Sequence, residues 1–196
     1  MTTLSTMERG FTDPVLDAQK TFRRLMEAWA RPGTTARFDG PDELPLGLDA
    51  AGAAIALTLI DQDAPVWLSA ACHSAGDWLR LHCASPIAPD PMAAAFALTT
   101  SSEMPPLTAF PSGTALSPEA GATLIIRVPA LVGGPTVRLT GPGIGDTASI
   151  APDGLPADFW CSRAACAPLY PAGLDIIMTC GSEALCLPRT TTTMEA

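Results

Sequence analysis

Lysine is nearly missing from this sequence of 196 residues: Lys20 is the only one. Histidine is almost as scarce, with two residues, and 11 basic residues face 20 acidic ones for a net charge of −9. So little positive charge argues against wrapping nucleic acid, because that binding draws most of its free energy from Lys and Arg neutralising phosphates. Charge of either sign is thin, 16% of residues, against roughly 25% in an average soluble domain. With 47% hydrophobic residues, a largely disordered chain is excluded, since disorder requires low hydrophobicity and high charge. Long apolar runs are also absent. The longest, Ala50 to Ile60, has 11 residues, where a bilayer needs about 20. Met1 to Gly10 lacks the apolar core of a secretory signal. The six cysteines are therefore expected to be reduced, buried thiols in a cytoplasmic protein.

Proline and glycine, by contrast, are plentiful at 20 and 16 residues, and their scatter implies many short elements joined by rigid turns. The clearest element is a helix over Asp13 to Ala30. Asp13 can cap it, Pro14 suits its first position, and Arg31-Pro32-Gly33 stops it. Val15, Ala18, Phe22, Leu25, Met26 and Trp29 form its apolar stripe. A second helix is expected over Asp49 to Ile60, ending at the carboxylates of Asp61-Gln62-Asp63, and a third over Leu155 to Ala165. Strands are expected at Thr34 to Phe38, Ala64 to Ser69, Trp78 to Cys83, Ala95 to Thr99, Ala122 to Val128 and Thr136 to Thr140. Leu174 to Thr179 and Ala184 to Leu187 read as the last two, joined through Gly181. Gly133-Gly134-Pro135 signals a hairpin between the strands ending at Val128 and beginning at Thr136. Interleaved helices and strands with no repeat or linker predict one α/β domain with a mixed sheet over residues 1–196, its first ten residues flexible.

Few residues offer chemistry. Arg127 and Arg138 would come side by side in the expected hairpin, where two guanidiniums on one face make an anion site; the alternative is two edge positions that point to water or pair with Asp residues. Gly141-Pro142-Gly143-Ile144-Gly145 could present backbone N–H groups to a phosphate, with Gly141 and Gly143 as the candidates. Its spacing does not fit a dinucleotide fingerprint, and a structural turn is the plainer reading. His82 is a possible acid or base, or a hydrogen-bonded core residue. Cys72-His73 and His82-Cys83 lack the ligand spacing of a structural zinc site, so no metal is expected. There is no Gly-x-Ser-x-Gly elbow and no convincing catalytic constellation.

Several stretches taken in order are nevertheless similar to one family. They are Pro14 to Met26 with Ala30-Arg31-Pro32-Gly33, Ala56 to Asp61, Pro65 to Leu68, and Leu81-His82 before Pro86. Gly113-Thr114-Ala115, Pro118 to Leu124, Leu139 to Ile144, Gly173 to Asp175 and Leu187 to Thr191 continue the set. Together they span residues 11 to 191 and resemble PhnH, the H subunit of the bacterial carbon–phosphorus lyase core complex. Departures fall at Pro171-Ala172-Gly173 and in the Cys- and Ala-rich Cys161 to Ala167. The resemblance implies a homodimeric α/β/α sandwich like a reduced pyridoxal-phosphate-dependent transferase, working with G, I and J subunits. In that family the complex transfers a phosphonate to the ribose of ATP and releases adenine, forming ribose 1-methylphosphonate 5-triphosphate. It implies no assigned catalytic residue on this chain. Pyridoxal phosphate itself is not expected, because its Schiff base needs a lysine and Lys20 falls on the polar face of the first helix. The other readings are a stand-alone phosphate-ligand enzyme using His82 and an Arg-lined site, and a non-catalytic dimeric scaffold.

Overall fold

The computed structural model describes residues 8–195. Its main layer is a six-stranded sheet in the order β1-β8-β7-β4-β3-β2. The strands are β1 (Thr35–Arg37), β2 (Val66–Leu68), β3 (Phe96–Thr100), β4 (Thr123–Arg127), β7 (Asp175–Cys180) and β8 (Glu183–Leu187). β2, β3, β4 and β7 run parallel, while β8 pairs antiparallel with both β7 and β1. The apolar, β-branched Leu124-Ile125-Ile126 of β4 is buried on both faces, as a central parallel strand requires.

Helices α1 (Pro14–Ala30), α2 (Ala50–Leu59) and α3 (Gly76–Cys83) cover one face, packing Leu25, Ile55, Trp78 and Leu79 on Leu98, Ile125 and Ile177. The other face is covered by α4 (Phe159–Ala165) and by a three-stranded antiparallel sheet in the order β6-β5-β9. This second sheet comprises β5 (Val137–Thr140), β6 (Ala148–Ile150) and β9 (Thr192–Glu195). Val137, Leu139, Ile150, Phe159 and Trp160 pack there on Leu124, Ile126, Ile176 and Met178. The expected mixed α/β sheet is present, with a small sheet sharing the layer expected to be helical.

Asp13 caps α1 through Oδ1, which accepts from the N–H groups of Val15 and Leu16 at 3.2 and 3.0 Å, with Pro14 in the first turn. The buried face of α1 differs from the expected stripe. Thr21, Leu25 and Ala28 face the core, whereas Val15, Phe22 and Met26 are exposed. Residues 14–30 therefore carry more apolar surface than the fold itself covers.

Four expectations are corrected. Trp78 to Cys83 belongs to helix α3, not to a strand. Helical spacing buries Ala75, Trp78, Leu79 and Cys83 and leaves Leu81 out, and Ala84 at φ 54° ends the helix. The hairpin between β4 and β5 does not form, because both edges of β4 are taken by β3 and β7. The Gly133-Gly134 loop instead bonds to the segment after β6, with Gly134 N–H donating to Ala151 O at 2.9 Å. α4 starts at Phe159 rather than at Leu155, and β8 is followed by a further strand, β9. Of the first ten residues, expected to be flexible, 1–7 lie outside the described part; Arg9 N–H donates to Glu43 Oε2 at 3.1 Å. The cysteines divide: Cys72, Cys83 and Cys186 are buried free thiols, Cys161 is exposed, and Cys166 and Cys180 lie between. Burial pushes the Cys83 thiol up to about 11. No helix among the described residues is long and apolar enough to cross a membrane.

Candidate functional site

In open α/β sheets the parallel strands end in a crevice, and their carboxyl ends are where ligands sit. Here β3 and β4 finish at Thr100 and Arg127, and β7 runs through Cys180 into the turn at Gly181. Around these ends lies an open cleft of about 540 Å³, lined by Asp49, Thr100, Ser101, Ser102, Arg127 and Gly181, among others. Arg127 supplies its positive charge. It stands opposite Thr100 and Thr179 in the sheet register and belongs to no ion pair among the described residues. The Thr100 and Ser102 hydroxyls are 3.1 Å apart and share a hydrogen bond.

Asp49 lines the same cleft and feels the charge of Arg127. As the residue before α2 it caps the helix, Oδ1 accepting from Gly52 N–H at 2.8 Å. Its other oxygen, Oδ2, is buried, with the Thr179 hydroxyl and the Gly181 N–H beside the carboxyl. Burial pushes the Asp49 carboxyl above its ordinary value, while the Gly52 amide, the nearby Thr179 hydroxyl and the Arg127 charge pull the other way. A folded-state value above the unfolded one means that the folded chain holds this proton longer. Stability contributed by the neutral form is then lost as pH rises out of the ordinary carboxylate range. Asp49→Asn keeps a capping oxygen without the buried charge. Its melting temperature relative to the parent is expected to rise as the pH goes up from about 4, the ordinary carboxylate range. A thermal-melt series in which that difference narrows with rising pH contradicts the account.

The residues singled out in the sequence do not gather here. Arg127 alone lines the cleft. Arg138 is exposed on β5 in the other sheet, opposite Ser149 and Met194, so the two arginines do not form the expected pair. Gly141 and Gly143 lie in the turn after β5 with φ of 135° and 82°. Side chains there would meet the carbonyl oxygens of Thr190 and Ala30, and oxygens facing the turn disfavour an anion. His82 sits on α3, hydrogen-bonded through Nε2 to the Glu8 carbonyl at 3.1 Å and edge-on to Trp78 at 5.1 Å. It lines a separate hollow with Arg9, Phe11 and Glu43. Lys20 is on α1 and pairs with Asp17 at 3.2 Å. Lysine is not among the described lining residues of the cleft. No cluster of three or more His, Cys, Asp or Glu side chains suited to a metal occurs among the described residues.

Sequence reasoning missed Asp49, Thr100, Ser101 and Ser102 as site residues. A signal existed in the run Thr99 to Ser102, four hydroxyls ending an apolar strand.

These features define an α/β protein with a ligand-sized cleft at the carboxyl edge of a mixed sheet, Arg127 being the basic residue among its described lining. The chain belongs to the PhnH family: the family profile described as bacterial phosphonate metabolism protein (PhnH) matches residues 9–194. It is 40% identical over 198 aligned residues to the Rhizobium meliloti alpha-D-ribose 1-methylphosphonate 5-triphosphate synthase subunit PhnH, covering 97% of this chain and 98% of that protein. A Stutzerimonas stutzeri protein, HtxG, named as a candidate C-P lyase subunit, is 33% identical over 174 residues, covering 88% and 84%.

Proposed function

We propose that this chain is the H-type subunit of a carbon–phosphorus lyase assembly, acting in the cytoplasm in the use of phosphonates. The observation carrying this reading is a match at 40% identity over nearly the full length of both chains to a subunit of ribose 1-methylphosphonate 5-triphosphate synthase. In the proposed role it is an accessory subunit in the transfer of phosphonate to the ribose of ATP with release of adenine. G, I and J subunits are its partners, and it pairs with itself as a homodimer. The exposed Val15, Phe22 and Met26 of α1 support a partner-facing surface. Residues 1–196 are read as one domain, and the six-stranded layer as a reduced pyridoxal-phosphate-dependent transferase fold that works without that cofactor and without a metal. Arg127 is its anion contact. Arg138 and the glycine turn serve the fold.

Co-expression with the G, I and J subunits tests the reading. The chain is expected to copurify with them, and the complex, but not the chain alone, is expected to release adenine from ATP in the presence of methylphosphonate. Adenine release by the isolated chain, or failure to copurify, rejects the accessory role.

A further inference from the structure

Strand β1 stands at the end of the order β1-β8-β7-β4-β3-β2, and β8 alone pairs with it. Phe38, the residue after β1, donates its N–H to Ser182 O at 2.7 Å. Bonded and non-bonded pairs alternate along antiparallel strands. Ala36 therefore bonds to β8 in the same phase as Phe38, while Thr35 and Arg37 turn their backbone groups away from it. One of these outward groups is occupied, since Arg24 Nη1 donates to Arg37 O at 3.1 Å. The N–H and C=O of Thr35 and the N–H of Arg37 find no partner among the described residues, and both residues are exposed. Beside them, between β1 and the last turns of α1, lies a hollow of about 500 Å³ lined by Arg24, Arg31 and Arg37 together with Glu27, Thr35 and Asp39. Arg24 pairs with Asp39 at 2.8 Å, whereas Arg31 and Arg37 belong to no ion pair among the described residues. The whole chain has 11 basic residues against 20 acidic ones, so three arginines on one hollow reverse its charge locally.

We infer that the open edge of β1 receives an extended, acidic segment of another protein, which joins the sheet as an added strand. Its backbone pairs with Thr35 and Arg37, and its carboxylates meet Arg31 and Arg37. Donors and acceptors alternating along a strand edge are matched by another strand. A small anion brings no donor for Thr35 C=O, and the carbonyl end of α1 repels it. A second copy of this chain is the wrong occupant, because edge-to-edge pairing would set Arg31 and Arg37 against their own counterparts. Charges on an edge strand prevent such self-pairing, and the same charges draw an acidic strand. The inference stands apart from the subunit reading above, since its test contains no other subunit.

Fluorescence anisotropy on the full chain tests this with three labelled synthetic peptides. One alternates glutamate and valine, the second alternates lysine and valine, and the third is the acidic peptide with its backbone amides N-methylated. The acidic peptide is expected to bind about tenfold or more tightly than either of the others, the first difference reading charge and the second reading backbone pairing. Thr35→Pro removes an outward N–H and leaves the bonds to β8 in place, as an edge strand tolerates, and it is expected to weaken the acidic peptide by a similar factor. Equal binding of the acidic and basic peptides overturns the acidic occupant. Equal binding of the acidic peptide and its N-methylated form, or binding unchanged in Thr35→Pro, overturns strand addition. Binding of none of the three by the parent chain overturns both. The peptide comparisons are made on the parent chain, so they decide the matter even if Thr35→Pro folds poorly.

Discussion

Replacing Arg163 by alanine is expected to destabilise the fold by about 3–5 kcal/mol. The residue is 3% exposed on α4, yet it belongs to no ion pair among the described residues. Its guanidinium donates instead to three backbone carbonyls, Leu174 at 3.3 Å, Pro188 at 2.6 Å and Thr191 at 3.5 Å. It thereby ties α4 to the entry of β7 and to the chain between β8 and β9. Truncation leaves those carbonyls buried without their donor, and a lysine cannot replace a rigid fork that reaches three acceptors. Urea denaturation is the check. Loss below 1 kcal/mol in Arg163→Ala, or recovery in Arg163→Lys, contradicts the assignment.

Gly143→Ala is expected to cost about 2–4 kcal/mol. Its φ of 82° is in the left-handed region, and a β-carbon there would strike the Ala30 carbonyl oxygen at the end of α1. Gly145, two residues on in the same turn, provides the control. It lacks a left-handed φ and a β-carbon would meet nothing within 4 Å, so Gly145→Ala is expected to be nearly neutral. Thermal melts of the two variants separate a turn built for packing from one shaped for a ligand. Equal melting temperatures would remove the structural explanation of this glycine-rich sequence.

The elements most legible in the sequence were those whose signal is local. Asp13-Pro14 and Arg31-Pro32-Gly33 bound α1, Asp49 precedes α2, and Gly181 joins β7 to β8. Those that escaped depend on what lies across space. Whether Gly133-Gly134-Pro135 closes a hairpin is decided by β3 and β7 occupying both edges of β4, and nothing between 128 and 136 records that. Trp78 to Cys83 is too short for periodicity to separate helix from strand; packing against α2 and the sheet decides it. β9, rich in threonine, gains its place by pairing with β5. The site followed the same division. Arg127 stood out only as half of an expected pair with Arg138, whereas its companions come from positions 49, 100–102 and 181. Only the sheet order brings those positions together. Arg163 lies in the Cys- and Ala-rich stretch where the family resemblance is weakest, and no local pattern marks it as buried.

The pairing of β1 with β8 has a consequence for how a cell makes this protein. Residues 35–37 are held by residues 183–185, and Ala51 N–H, next to the cap of α2, donates to Gly181 O at 2.9 Å. A nascent chain emerging from the ribosome can form α1 early, but the strand that follows it waits until residues 183–185 have been translated. Contacts so far apart in sequence form slowly, and meanwhile β7 has an open edge and the cleft has no far wall. Residues 181–187 thus complete the sheet and the cleft together, so a chain released before residue 181 carries Arg127 without all the surroundings of the cleft.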